Sequence, residues 1–427
     1  MATTVTSAEQ RSDKAFKHAA IVIAVGVLAT TLAQTQLLCR IPLQNLLKNE
    51  LHVDRSANAA FFFWVGLAWY FKPFAGIFTD AFPILGSRRK SYILGATTLA
   101  VISWFALIVT PHQYSKLLAV SIVINAFMVL ASTVVGGYMV ETAQATSGSG
   151  RLSSIREFVM QGSYIISGPS AGFLASIAFG WTAAACGSIM FLLIPVTILF
   201  LHEKRIYIDS SELLGNAGKQ FVKIATARSM WAAAGLMALF YIAPGLWTAV
   251  FYKQQNQLHL NTQGQGMLQF ISGTCGVMAA ILYGYVCRRY NLRRLLVYCM
   301  LLGTAANLGY LFYSSIGLAR VIEGFNGFGY TMAELALMDL AVRATPAGSE
   351  GLGFSLMMSV RNLALFGTDW FGSSLLDKYH LSFNTLVLAN GATTFITIPL
   401  IFLLPLALVA HKDAELEAAA VPRIAVE

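Results

Sequence analysis

Apolar runs long enough to cross a bilayer recur along this whole chain, separated by short polar turns. A helix needs about 20 apolar residues to traverse the hydrocarbon core. Runs of that size occupy 19–38, 56–79, 91–110, 117–141, 153–179, 182–201, 229–251, 263–286, 295–313, 316–342, 351–375 and 384–410. Lipid offers no hydrogen-bond partners, so each run must satisfy its own backbone and reads as a helix. Of the 427 residues, 56% are hydrophobic and only 11% are charged, whereas soluble domains carry about 25% charged residues. The expected fold is an all-α membrane protein of twelve transmembrane helices.

The longest internal polar gap, His202 to Arg228, divides the spans into two sets of six. The expected organisation is a six-helix bundle over 1–201, a cytoplasmic linker over 202–228 and a second six-helix bundle over 229–427. The halves echo each other. Gly76 and its basic turn are matched 208 residues later by Gly284 and the cluster Arg288, Arg289, Arg293 and Arg294. Ser154-Ile155-Arg156 is matched 205 residues later by Ser359-Val360-Arg361. Gly162 and Gly168 have counterparts in Gly367 and Gly372. Such a parallel repeat is the layout of major-facilitator carriers, whose solute site lies between the halves near the bilayer midplane.

The net charge of +9 does not call for nucleic acid. With the N-terminus inside, cytoplasmic segments hold 19 of the 29 Lys and Arg residues and the opposite loops hold six. Basic residues favour the cytoplasmic side, so both termini are expected there, in a cell inner (plasma) membrane. The first run has span length, and no cleaved signal peptide is expected. The five cysteines are scattered and show no C-x-x-C, and no histidines have metal-ligand spacing. No metal or cofactor is expected. There is no Walker loop, H-E-x-x-H, G-x-S-x-G or Rossmann fingerprint, which argues against an enzyme or an ATP-driven pump.

Charged residues inside apolar spans are the functional candidates, because burying a charge in lipid is costly. Lys72 lies two turns, about 12 Å, before Asp80 at the end of the second span. It is either a solute-binding or gating cation, or a lysine that snorkels. Asp80 with Arg88 and Arg89 in the following turn reads as a gate whose ion pairs break when the halves rock. Arg156 and Arg361 occupy matching positions in spans five and eleven. Their planar guanidinium groups suit carboxylates, so one from each half would clamp an anion. The alternative is structural pairing, with Glu157 beside one and Asp369 two turns from the other.

The tenth span carries Arg320, Glu323, Gly327, Tyr330 or Thr331, and Glu334 at helical spacing on one face. Arg320 and Glu323 can pair with each other or contact solute. Glu334 is a proton-binding candidate, as are Asp339, which has Arg343 one turn on, and Glu141, which closes the fourth span. Tyr241 and Trp247 on the seventh span would stack a flat ring, or pack within the interfacial aromatic belt.

Three blocks carry a family resemblance. The first runs from Lys72-Pro73 through Asp80, Pro83, Gly86, Arg88-Arg89 and Tyr92. The second is Tyr138-Met139-Val140-Glu141-Thr142-Ala143, before a Gly/Ser-rich turn. The third is Pro346-Ala347-Gly348-Ser349-Glu350-Gly351, followed by Phe354, Met358-Ser359, Arg361-Asn362 and Gly372. Together they resemble the folate–biopterin transporter family of the major facilitator superfamily. The resemblance implies a twelve-helix carrier for pterin- or folate-like compounds, driven by a proton gradient. It also marks a departure: the family places acids nine and five residues before the glutamate matching Glu141, where this chain has Ser132 and Gly136.

The expected function is secondary active transport of a small polar or anionic solute by alternating access, with the bilayer, the solute and protons as partners. The alternatives are a major-facilitator exporter of amphiphilic compounds and a non-transporting membrane assembly or sensor protein.

Overall fold

The computed structural model describes residues 2–82, 84, 86–87, 89–146, 149–201, 203, 210–346 and 350–410. Among these the elements are helices, joined by turns and a single isolated bridge between Ile84 and Ser87. Six are apolar and long enough to cross a membrane: Lys90–Val109, Tyr114–Thr142, Phe179–Phe200, Thr262–Val286, Leu292–Phe312 and Phe383–Leu403. They correspond to spans three, four, six, eight, nine and twelve. Of the others, the first is apolar over Phe16–Leu32 but shorter, and the rest are interrupted or carry charge. Large side chains such as Ile102, Phe105, Phe191, Leu199, Ile396 and Phe402 are exposed. In water so much exposed apolar surface would aggregate; in lipid it is the solvent-facing surface.

The chain forms two compact units. The first comprises Met1–Val53, Phe61–Gly218 and Asn261–Met267. Its first helix, Ala2–Leu32, packs against Tyr114–Thr146 and Ser149–Leu174, and Lys90–Val109 packs against Tyr114–Thr146 and Phe179–Phe191. Small residues permit the close approach, as lipid-embedded helices require: a Cβ on Gly26 would come within 2.8 Å of Val135. Val22, Ile23, Trp104, Ile124, Met128 and Cys186 fill the interior. The first helix stops at Leu32, six residues before the run it begins in has ended; Gln34 then folds its side-chain amide back onto the Thr30 carbonyl (2.6 Å).

The second span is broken into Arg55–Val65, Leu67–Tyr70 and Lys72–Ala81. The causes are local. Tyr70 turns its hydroxyl back to the Phe63 carbonyl (2.8 Å), filling space that a Cβ on Gly66 would need. Pro73 has no N–H to continue the ladder and sits in the first turn of the next segment, where that loss costs least.

The second unit comprises Asp54–Ala60, Lys219–Leu260 and Leu268–Glu427. Its seventh span is also broken, between Arg228–Tyr241 and Trp247–Asn256. Neighbouring helices take up the freed backbone groups, as a membrane interior demands. The Gly245 N–H donates to the Thr368 carbonyl (2.8 Å), and the Pro244 carbonyl accepts from Asn390 (2.9 Å). Asp369, 2% exposed, accepts from the Thr248 N–H (3.0 Å) and hydroxyl (2.6 Å), capping the second half-helix. A polar chain continues from Asn390 to Asn307 (2.9 Å) and from Asn307 to Asn326 (2.8 Å). It ties the seventh, twelfth, ninth and tenth spans together through interhelical amides.

The linker read from the sequence contains a helix, Ser210–Thr226. Its described surface includes exposed Phe221 and Val222 beside exposed Lys223.

Asp369→Ala should lower stability by about 1.5–3 kcal/mol, the usual loss for hydrogen bonds to a charged group. Thr248→Val should cost less, because the backbone N–H keeps its acceptor. Thermal unfolding of the purified protein in detergent checks both.

Candidate functional site

In the first unit the second-span break delivers Lys72 to the start of Lys72–Ala81, half-buried. Its ammonium donates to Ser132 Oγ (3.2 Å) and lies 5.0 Å from the centre of the Trp69 ring. Trp69 is fixed in turn: its indole N–H donates to Asn125 Oδ1 (3.0 Å), and the Asn125 amide donates to Thr35 Oγ1 (2.8 Å). Arg156, exposed on Ser149–Leu174, adds a second positive charge whose field acts on Lys72. Two cations, a hydroxyl and an aromatic face are thereby grouped within one unit. That set can hold an anion carrying a flat ring, by charge and by stacking.

The basic turn lies partly within the described residues. Arg88 and the Asp80 side chain lie outside the described residues. Arg89 is buried, and its guanidinium donates to Glu141 (2.7 Å). Glu203, just beyond the sixth span, closes the turn from the other side: its carboxylate accepts from Ser87 Oγ (2.6 Å), Arg89 N (3.1 Å) and Lys90 N (2.9 Å). A carboxylate at that helix start satisfies open N–H groups and opposes the helix dipole. Gly86 takes the left-handed conformation (φ 73°) the tight turn needs. Gly137 leaves room for Arg89, since a Cβ there would meet Nη1 at 2.7 Å.

In the second unit Arg361 projects from Glu350–Lys378 and forms an ion pair with Glu334 of Ile316–Ala344. Its other terminal nitrogen donates to Asn362 Oδ1 (2.9 Å), and its guanidinium carbon lies 5.5 Å from the centre of the Tyr241 ring. The Tyr241 hydroxyl interacts with Arg361, while the Tyr330 hydroxyl and Arg361 Nε are buried with no hydrogen-bond partner among the described residues. Buried polar groups are normally paired, so this cluster has donors to spare for a ligand. The Asp369 expected as a structural partner instead caps the seventh-span half-helix. Glu157, the other expected partner, has its side chain outside the described residues.

The remaining candidates separate. Arg320 is exposed while Glu323 is buried, so the two do not form the pair their spacing allowed. Glu323 instead meets Tyr310, Tyr313 and Gln254. Asp339 pairs with Arg343 (2.9 Å) and accepts from the Tyr283 hydroxyl (3.2 Å). Glu334, Asp339 and Glu141, the three carboxylates read as proton sites, therefore each stand in an ion pair. Trp247 is 40% exposed and packs edge-on against Phe366. A groove of about 530 Å³ in the first unit is lined by residues such as Leu32, Leu38, Ile166 and Phe173 and by none of the charged candidates.

Sequence reasoning missed Ser132 as the contact of Lys72, Glu203 as the cap of the basic turn, and the Tyr310–Tyr313–Gln254 cage. Each is joined to its partner across a turn or between helices, where spacing carries no signal.

The sequence model of the BT1 family matches residues 34–421, most of the chain. A "Folate-biopterin transporter" of Synechocystis sp. is 22% identical over 391 residues, covering 86% of this chain and 78% of that protein. "Folate transporter 1" of Plasmodium falciparum is 21% identical over 385 residues, covering 87% and 74%. Among solved structures, a D-xylose-proton symporter superposes with a TM-score of 0.69 at 15% identity, covering 92% of this chain and 98% of the other. The fold is thus the major facilitator fold of twelve transmembrane helices in two bundles, and the relatives are transporters rather than enzymes. The chain belongs to the BT1 family, the folate–biopterin transporters of the major facilitator superfamily, and is a multi-pass membrane transporter of a small-molecule solute.

Proposed function

We propose that the chain is a secondary active transporter that moves a pterin- or folate-like organic anion by alternating access, coupled to protons. The observation that carries this reading is the Arg361 cluster, where a guanidinium paired with Glu334 lies beside Tyr241 and where the Tyr330 hydroxyl and Arg361 Nε are buried without a partner among the described residues. A solute carboxylate competes with Glu334 for Arg361, and the tyrosine hydroxyls supply hydrogen bonds to a heterocycle. Within the first unit, Lys72 and Arg156 form a cationic group of their own. In place of the acid that the family resemblance puts at position 132, Lys72 meets a hydroxyl. A hydroxyl leaves the ammonium's charge uncancelled, so it favours an anionic ligand. The names of the relatives point to the same compounds. The excess of Lys and Arg in alternate loops supports both termini on the cytoplasmic side, and the membrane we propose is the plasma (inner) membrane.

A thermal-shift screen of folic acid, pterin, amino acids and sugars on purified protein tests the solute class. A ligand that binds only the folded state raises the melting temperature, and folic acid or pterin should give the largest shift. A shift with sugars and none with folic acid would overturn the reading.

Arg361→Gln should weaken folic acid binding at least tenfold, about 1.4 kcal/mol, the scale of a lost charged hydrogen bond. Because Glu334 is then left unpaired, the double variant Arg361→Gln/Glu334→Gln should regain stability and still bind poorly. Recovered affinity in the double variant would exclude Arg361 as a solute contact.

A further inference from the structure

The tenth helix carries one carboxylate that neither an ion pair nor the solute cluster uses. Glu323 is 8% exposed. Its Oε1 accepts from the Tyr313 hydroxyl (2.8 Å) and from Gln254 Nε2 (3.1 Å), and its Oε2 accepts from the Tyr310 hydroxyl (3.3 Å). Gln254 Nε2 also reaches the Tyr313 hydroxyl (2.9 Å), so the cage is closed on itself.

No cation among the described residues faces this group. The titratable neighbours are the two phenols, from the turn that follows Leu292–Leu308, and Trp247–Asn256 contributes only the Gln254 amide. Lys253, next to Gln254, lies over the Phe383 ring at 4.1 Å. Arg320, one turn before Glu323 on its own helix, is exposed. Glu334, three turns further along, is engaged by Arg361, and Asp339 by Arg343. From the eleventh span, Asp369 is engaged by Thr248.

A buried charge must be balanced or neutralised. Arg361 does this for Glu334, and among the described residues nothing positive does it for Glu323. The cage is also suited to both protonation states. A tyrosine hydroxyl both donates and accepts and can rotate to do either. It donates to the carboxylate and can accept from the carboxylic acid, so taking up a proton strands no polar atom.

We propose that Glu323 is the proton-binding site of this transporter. One carboxylate oxygen gains an O–H bond to a proton from the aqueous phase, and no other bond is made or broken. This rests on the proton-coupled reading above. It moves the proton from the ion-paired carboxylates of the tenth span, Glu334 and Asp339, to the carboxylate of that span held by neutral donors, and leaves Arg361 and Glu334 to the solute.

The test uses full-length protein in lipid vesicles. Infrared difference spectra between acidic and alkaline pH should show a protonated-carboxyl band that is lost in Glu323→Gln and kept in Glu334→Gln. A band unchanged in Glu323→Gln would overturn the assignment. Should Glu323→Gln fail to fold, Tyr313→Phe serves: it removes one donor, so the pH at which the band disappears should move, and an unmoved titration would count against the site. In the same vesicles, folic acid uptake by Glu323→Gln should fall to the level seen without a pH gradient, while folic acid counterflow persists. Full gradient stimulation in the variant would overturn the proposal. Wild-type protein that takes up no folic acid would sink the solute reading alone, because the infrared titration needs no transported solute.

Discussion

A charge carried to the depth of the hydrocarbon has to be answered by another group of the same protein. In this molecule that constraint organises almost everything polar. Arg361 is answered by Glu334 within the spans, and at the span ends Arg343 is answered by Asp339, Arg89 by Glu141, and Arg55 by Asp377 at 2.8 Å. Other groups are answered by neutral donors or acceptors, as Asp369 is by Thr248. Lys72 has a hydroxyl and an aromatic face, and Glu323 has two phenols and an amide. Among the described residues these two meet dipoles rather than an opposite charge, and a mobile ion of opposite sign is the natural complement of each. A carrier must have such places, since a site fully satisfied by its own side chains has no use for a passenger.

The breaks in the second and seventh spans follow the same logic. Interrupting a helix in lipid exposes backbone groups that lipid cannot satisfy. In each span a specific partner is present: the Tyr70 hydroxyl for the Phe63 carbonyl, the Thr368 carbonyl for the Gly245 N–H, and Asn390 for the Pro244 carbonyl. The breaks occur where candidate site residues enter. Lys72 begins the last segment of the second span, and Tyr241 ends the first segment of the seventh.

Much of the architecture was legible in the sequence because span length and loop charge are local quantities. Twelve runs, a central gap and offsets near 205 residues suffice to suggest two halves of six. The candidate positions were legible too, since a charge inside an apolar run stands out against its surroundings. Their partners were not. Glu334 and Arg361 lie 27 residues apart, Arg89 and Glu141 52 apart, and Arg89 and Glu203 114 apart. Only packing brings them together. Arg320 and Glu323 show the opposite failure: their spacing permits a pair, yet the helix turns one outward and the other into the interior. The internal repeat likewise indicated that Arg156 and Arg361 correspond without indicating that their surroundings differ.

The clearance at Gly137 has a consequence for how this chain can vary. The Arg89 guanidinium lies where any β-carbon at position 137 would go, and it is the link to Glu141. A larger residue at 137 would displace that guanidinium before it disturbed anything else. Tolerance at 137 is thus set by which side chain stands at 89, and the two positions would be expected to drift together through descent, a small side chain at 89 freeing its neighbour to grow.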